Sequence, residues 1–251
     1  MSFQPSVPHP EFDGIFEAND DSHICPQIEE FNRTLAGDLD CLRLNIFVPP
    51  TASPTNKLPV LVWIFGGRFE LGFYGRLLYG PKFLVRHDII LVTINYRVGP
   101  YGFMCLNIPE VPGNQGLKDQ LMALRWLHEN IEAFGMEDIV KHFFYGDEVL
   151  DEDFQPGVDL SSDISFIYPS IRSLKRFVES EAEKVYLYIF SYSGGRNFIQ
   201  HRNNVTDASG AWHADEIGYL FDISYMEEPT PEDQLIVDRM TTMWANFVKS
   251  G

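Results

Sequence analysis

Acyl transfer through a nucleophile needs a hydroxyl on a tight turn, a base to take its proton and backbone donors that hold the oxyanion. One stretch of this sequence invites that reading. Ser191 to Gly195 (SYSGG) follows an apolar, aromatic run and lacks only the first glycine of a Gly-x-Ser-x-Gly turn. Such a turn must open a helix, and Arg196 to Asn203 is a poor amphipathic start, so Ser193 reads as an ordinary turn serine. A second stretch, Gly66-Gly67, ends the apolar run LPVLVWIF, and alone it would mean only a tight turn after a buried strand. Seven histidines are available as bases, and a histidine without context reads as a surface or satisfied core residue. Three cysteines, Cys25, Cys41 and Cys105, read by composition as reduced thiols. No metal-ligand spacing, phosphate loop or cofactor motif is present, so no metal and no cofactor is expected.

The elements that would position these groups follow from hydrophobic patterning. Leu42 to Val48 alternates as a half-buried strand and stops at Pro49-Pro50. Leu58 to Phe65 and Ile89 to Asn95 are continuous apolar runs, the pattern of strands buried on both faces. Gly113-Asn114 opens a helix whose inner face is predicted to carry Leu117, Leu121, Leu124, Leu127 and Ile131, with Gly135 just past its end. Beyond it, Met136 to Tyr145 and Ile164 to Glu183 are predicted helical, the latter interrupted near Pro169. Val185 to Tyr192 is predicted as a strong strand. Pro231 to Lys249 closes as a helix with Leu235, Met240, Met243, Trp244 and Phe247 inward. Strand, glycine turn, strand, helix is α/β grammar.

Charge narrows the partners. Nineteen basic against 36 acidic residues give a formal charge of −17, and no basic cluster suggests a nucleic-acid face. No apolar run reaches the roughly 18–20 residues of a membrane span. Met1 to Phe12 has neither the basic nor the apolar part of a signal peptide, which predicts a cytosolic chain or a missing start. Two sequons, at Asn32 and Asn204, fit a secreted ancestor.

Several segments in fixed order resemble the type-B carboxylesterases, α/β-hydrolases of the carboxylesterase and cholinesterase family. Cys25-Pro-Gln with Asp40 to Asn45 resembles their "CPQ … EDCLYLN". Leu58 to Phe69 resembles "LPVxVWIHGGGF", with Phe65 for the histidine and Arg68 for the third glycine. Val92 to Phe103, Pro112 to Gln120 and Ala123 to Gly135 follow in the family's order, and Gly210 to Phe221 resembles "GAxHxDELxYLF". The arginine in GGRFELGF is similar to insect branches that degrade xenobiotic or odorant esters.

The resemblance implies a Ser–His–acid hydrolase of small-molecule esters. It makes His213 the general base, makes Gly66, Gly67 and Arg68 the oxyanion loop, and pairs Cys25 with Cys41 in a disulfide typical of a secreted full-length relative. Cys105 is left as a buried thiol. His9, His23, His87, His128, His142 and His201 are structural, while Asp163, Asp215 and Glu216 are solvated or capping. The family's stretch "NIxAFGGDPxxVTxxGESAGG" is matched only through Asn130 to Gly135 and breaks at Met136. The nucleophile serine and the acid glutamate fall in the break.

The expected fold is therefore α/β: an incomplete α/β-hydrolase, a mostly parallel sheet flanked by helices, lacking the central elbow strand. Residues 1–135 and 136–251 are read as two parts of one composite domain. Three functions compete. These are an active esterase, a non-catalytic binding or adhesion protein, and an internally shortened, inactive product, which the clean break favours.

Overall fold

The computed structural model describes residues 3–9, 14, 17–29, 33–130, 136–143, 166–180, 184–205 and 210–250. Strands β1 (Gln27–Ile28) and β2 (Leu35–Ala36) form a small hairpin, and β3 (Leu44–Phe47), β4 (Leu58–Ile64) and β5 (Ile90–Ile94) belong to the main sheet. A second ribbon pairs β6 (Cys105–Ile108) with β7 (Val111–Pro112), and β8 (Met136–Phe143) completes the main sheet. Helices are α1 (Lys82–Val85), α2 (Gly99–Phe103), α3 (Gln115–Asn130), α4 (Tyr168–Glu179), α5 (Phe198–Arg202), α6 (Ile217–Leu220) and α7 (Pro231–Ser250).

The main sheet runs β3-β5-β4-β8, antiparallel for β3 on β5 and parallel for the other two pairs. Every residue of β4 and β5 is buried, which is why both read as unbroken apolar runs. The core crosses the chain: Trp63 of β4 packs edge-on to Phe221 at 4.8 Å and also faces Tyr79 and Trp244. Residues 198–248 thus share one apolar cluster with residues 58–98. Polar ties reinforce that seam. Lys82 donates its backbone N–H to Asp222 and its ammonium to Glu228, and Arg86 pairs with Asp238. Helix α7 starts on Thr230, whose hydroxyl accepts the Asp233 N–H while donating to the Asp233 carboxylate.

Several expectations are corrected. Met136–Phe143 is a strand, not a helix. The open parallel edge of β4 supplies ladder partners that override local helical spacing. Val185 to Tyr192 forms no strand: Tyr188, Phe190 and Tyr192 lean on the core while Leu187 and Ile189 stand exposed, the two-residue alternation of a strand without a ladder. Pro169 sits in the first turn of α4, directly after a π-type turn at Phe166-Ile167, so the predicted interruption is a switch of helix type at a position where a missing N–H costs little.

Helix α3 buries Gln115, Gly116, Asp119, Gln120 and Leu127, while Leu117 and Leu121 are exposed. Leu124 and Leu127 do face the core, while the first half of the helix buries the ion pair of Asp119 with Arg97 instead of its leucines. In α7, Met240 and Trp244 are buried as expected and Phe247 packs on the core. Leu235 and Met243 face solvent, and Val237, Thr241, Ala245 and Val248 fill the inner face. Cys105 is exposed, because the β6–β7 ribbon lies outside the core. Asn32, Ile131, Gly135 and Asp163 lie outside the described residues.

Candidate active site

The loop after β4 is fixed from several directions. Three consecutive residues take left-handed or near-mirror backbone, Gly67 at φ 142°, Arg68 at 55° and Phe69 at 62°. At Gly67 a side chain would force the backbone to move, since a Cβ there would lie 2.0 Å from the Leu71 carbonyl oxygen. Arg68 holds the position without that excuse, at a cost of roughly 1–2 kcal/mol for an L-residue with a side chain. Its guanidinium is exposed, 3.9 Å from Glu70. The Glu70 and Leu71 N–H groups both donate to the Gly67 carbonyl, closing the turn.

The residues that hold this turn come from the other signature segments. Gln27 clamps Gly72, its side-chain oxygen accepting the Gly72 N–H at 2.7 Å and its amide donating to the Gly72 carbonyl at 2.8 Å. The disulfide between Cys25 and Cys41 anchors Gln27 from behind. The Tyr96 hydroxyl donates to the Phe65 carbonyl at 2.9 Å, and the two rings stack at 4.4 Å. Phe65, standing where the family motif has histidine, is thus a packing partner of Tyr96. Gly99 N–H donates to Phe69 at 2.6 Å. Asn95 donates to the Cys41 carbonyl, and Asn45 to Thr93 and Tyr74, tying the disulfide region to β5.

Beneath this frame lies a buried ion pair. Arg97 grips Asp119 through Nε and Nη2, both at 2.7 Å, and its backbone N–H donates to the same carboxylate. Ser6 also donates to Asp119, and Arg97 donates to the Gln4 carbonyl, so the N-terminal residues close over the pair. Such bidentate, fully hydrogen-bonded geometry is what lets a buried pair offset its desolvation.

His213 sits half-buried on the loop between α5 and α6. Its ring stacks on Phe166 at 4.5 Å. The backbone around it is set by Asp215, which is fully buried rather than solvated. That carboxylate accepts the N–H groups of Trp212, Ile199 and Gln200 and the side-chain amides of Asn197 and Gln200. It therefore caps α5 and pins the histidine loop in one stroke, the charge satisfied by five donors. Ala214, next to His213, is held at φ 68°, a strained position that this clamp over-determines. Glu216 is also buried, at the start of α6.

Gly66 and Ala214 line one cleft of about 370 Å³, with Trp63, Leu78, Tyr79, Phe198 and Ile217 as its apolar wall. The loop after β4 and the His213 loop therefore reach the same hollow, through Gly66 and Ala214. Gly67, Arg68, His213 and Ser193 are not among its lining residues. Ser193 is exposed on an irregular turn that Asn197 braces by accepting the Gly194 N–H, and the next helix starts only at Phe198. In sequence, β8 runs on into Phe144-Tyr145-Gly146-Asp147, not into a serine turn. Gln27, Tyr96 and Asp215 were visible only as members of motifs. Their clamping roles come from partners 15 to 45 residues away. Among the described residues no cluster of His, Cys, Asp and Glu could hold a metal ion.

Comparison with known proteins agrees with this frame. The model of the carboxylesterase family matches residues 1–138 and again 137–251, so the two matched segments meet where the sequence pattern breaks. The chain is 40% identical to Esterase B1 of Culex pipiens over 137 residues, 54% of this chain and 25% of that protein. It is 42% identical to juvenile hormone esterase of Tribolium castaneum over 137 residues, 54% of this chain and 23% of that one. The crystal structure of juvenile hormone esterase from Manduca sexta, with OTFP covalently attached, superposes with a TM-score of 0.51 at 37% identity. It covers 55% of this chain and 27% of that one. The chain spans about a quarter or less of the length of these curated relatives.

Proposed function

Because the chain belongs to the carboxylesterase family and carries its α/β-hydrolase frame in part, we propose that it is an ester-hydrolase scaffold whose own acyl transfer has been lost. In this reading Gly66, Gly67 and Arg68 are the oxyanion loop and His213 is the general base for a small-molecule ester, with Gly66 and Ala214 as the points where the two loops reach the cleft. Among the described residues the serine that lines their shared cleft, Ser22, lies on an irregular N-terminal stretch and not on a strand-to-helix turn. The observation that carries the reading is the turn at Ser193: exposed, irregular, four residues short of a helix, and outside the lining of the cleft that Gly66 and Ala214 share. No Gly-x-Ser-x-Gly occurs anywhere in the 251 residues. The family match in two segments supports an internal loss of the intervening part, and the disulfide fits an ancestor made in an oxidising compartment.

Without a nucleophile, an oxyanion loop and binding alone leave at most roughly 10³–10⁴ over water. The purified chain, mixed with an activated aryl ester, is expected to release no stoichiometric burst of phenol. A burst abolished by Ser193→Ala would overturn the proposal. The apolar cleft favours one second reading, binding without turnover. Saturable binding of an aryl alkyl ketone, with no hydrolysis of the matching ester, would support it.

A further inference from the structure

Among the described helices, α4 stands out in how little of its apolar face is covered. On a helical projection Ile171, Leu174, Phe177 and Val178 fall on one side, with Ile167 just before the first turn extending the stripe. Leu174 is half-buried, but Ile167, Ile171, Phe177 and Val178 are 46, 52, 58 and 61% exposed. Arg172, Lys175 and Arg176 occupy the opposite side with Glu179, three cations and one carboxylate. Within Tyr168–Glu179 the charge is therefore positive in a molecule of formal charge −17, with Glu181 and Glu183 following in sequence beyond the helix end.

We propose that α4 is a membrane-surface helix, seated in the interface of an anionic bilayer with Ile171, Phe177 and Val178 among the acyl chains and Arg172, Lys175 and Arg176 at the headgroups. A large segregation of apolar and basic residues with low overall hydrophobicity is the pattern of helices that lie in that plane. No helix of the described residues is long and apolar enough to cross a membrane, so the contact is one of lying on, not spanning. Repulsion between the acidic body and the lipid is screened over about 8–10 Å at ordinary ionic strength, whereas the basic side chains of α4 would sit at the surface itself.

A second copy of the chain is the other candidate for this face. A stripe of four or five side chains falls well short of the roughly 800 Å² per partner that a stable protein interface buries. Antiparallel pairing of two α4 helices would also bring their cations together. Insertion into lipid needs only the stripe that is present.

The proposal is independent of whether the chain hydrolyses esters, and its test uses no substrate. The intact chain is sedimented with vesicles of phosphatidylcholine alone and of phosphatidylcholine mixed with phosphatidylserine. Binding to the mixed vesicles is expected to exceed binding to the neutral ones by at least roughly tenfold and to weaken with added salt. Phe177→Asp should abolish binding. Arg176→Glu should lower it about fivefold or more while leaving any residual binding to neutral vesicles unchanged. Both side chains are exposed, so circular dichroism should match the parent. No binding to anionic vesicles at low salt would overturn the proposal. So would a concentration-dependent dimer, formed without lipid and dissolved by Phe177→Asp, which would give the face to a second copy.

Discussion

Two glycine pairs in this molecule look alike in sequence and behave differently. Gly66-Gly67 and Gly194-Gly195 each follow an apolar run. The first run is β4, laddered on both sides, and the turn after it is clamped by Gln27, Tyr96 and Gly99 into consecutive left-handed residues. The second run has the alternation of a strand and no ladder, and the turn after it rests on Asn197 and the Asp233 carboxylate. A turn becomes a catalytic device only when the elements on either side of it are fixed. The turn at Gly66-Gly67 has that support, and the turn at Ser193 lacks a ladder before it.

The comparison can be broken most severely from beneath the first turn. Asp119→Ala leaves Arg97 buried without its carboxylate, so it should cost about 3–5 kcal/mol in chemical denaturation. A loss under about 1 kcal/mol would mean that the pair does not hold the frame. Gly67→Ala should rival it at several kcal/mol, because its Cβ meets backbone at a φ that L-residues avoid. Gly195→Ala meets only Asp233 Oδ2, at 3.1 Å, and should cost under about 1 kcal/mol. Equal losses at the two glycines would erase the contrast.

Gln27→Ala strips Gly72 of both its side-chain partners and should cost about 1–3 kcal/mol. Smallest is Arg68→Gly. Relief of about 1–2 kcal/mol of left-handed strain exceeds the roughly 0.4–1 kcal/mol of added unfolded-state entropy, so a gain of up to about 1 kcal/mol is expected. Thermal unfolding would read it as a rise of a few degrees.

Alkaline pH probes the same frame. Burial, aided by the nearby Asp21, pushes the Tyr74 hydroxyl up to about 12, and burial beside Asp233 raises Tyr219 as well. The sign follows from the neutral form being the one that folds. This contribution is complete below the unfolded value near 10 and is lost as pH rises from there through about 12. Tyr74→Phe should flatten the fall in stability over that window, as followed by denaturant midpoints.

Much of the frame was legible in the residues. LPVLVWIF and IILVTIN became β4 and β5 because a strand buried on both faces must be apolar throughout. The disulfide between Cys25 and Cys41 followed from motif order. What sequence could not show was pairing. Val185 to Tyr192 has every side chain a strand wants and no neighbour to ladder with, while Met136–Phe143 gains its strand from the free edge of β4. Burial of α3 was misjudged for a similar reason. Leu124 and Leu127 face the core as predicted, but at the start of the helix the Asp119–Arg97 ion pair is buried and Leu117 and Leu121 are exposed. The clamp on the histidine loop was hidden because Asp215 looks, in sequence, like any surface carboxylate.

The central claim is that Gly66 to Arg68 and His213 remain without a hydroxyl to use, and covalent trapping tests it most directly. The folded chain would be treated with a fluorophosphonate and each serine mapped by peptide mass spectrometry. Unmodified serines throughout are the predicted result, under conditions that fully label an intact carboxylesterase. Stoichiometric modification of any one serine, lost on unfolding, would contradict it.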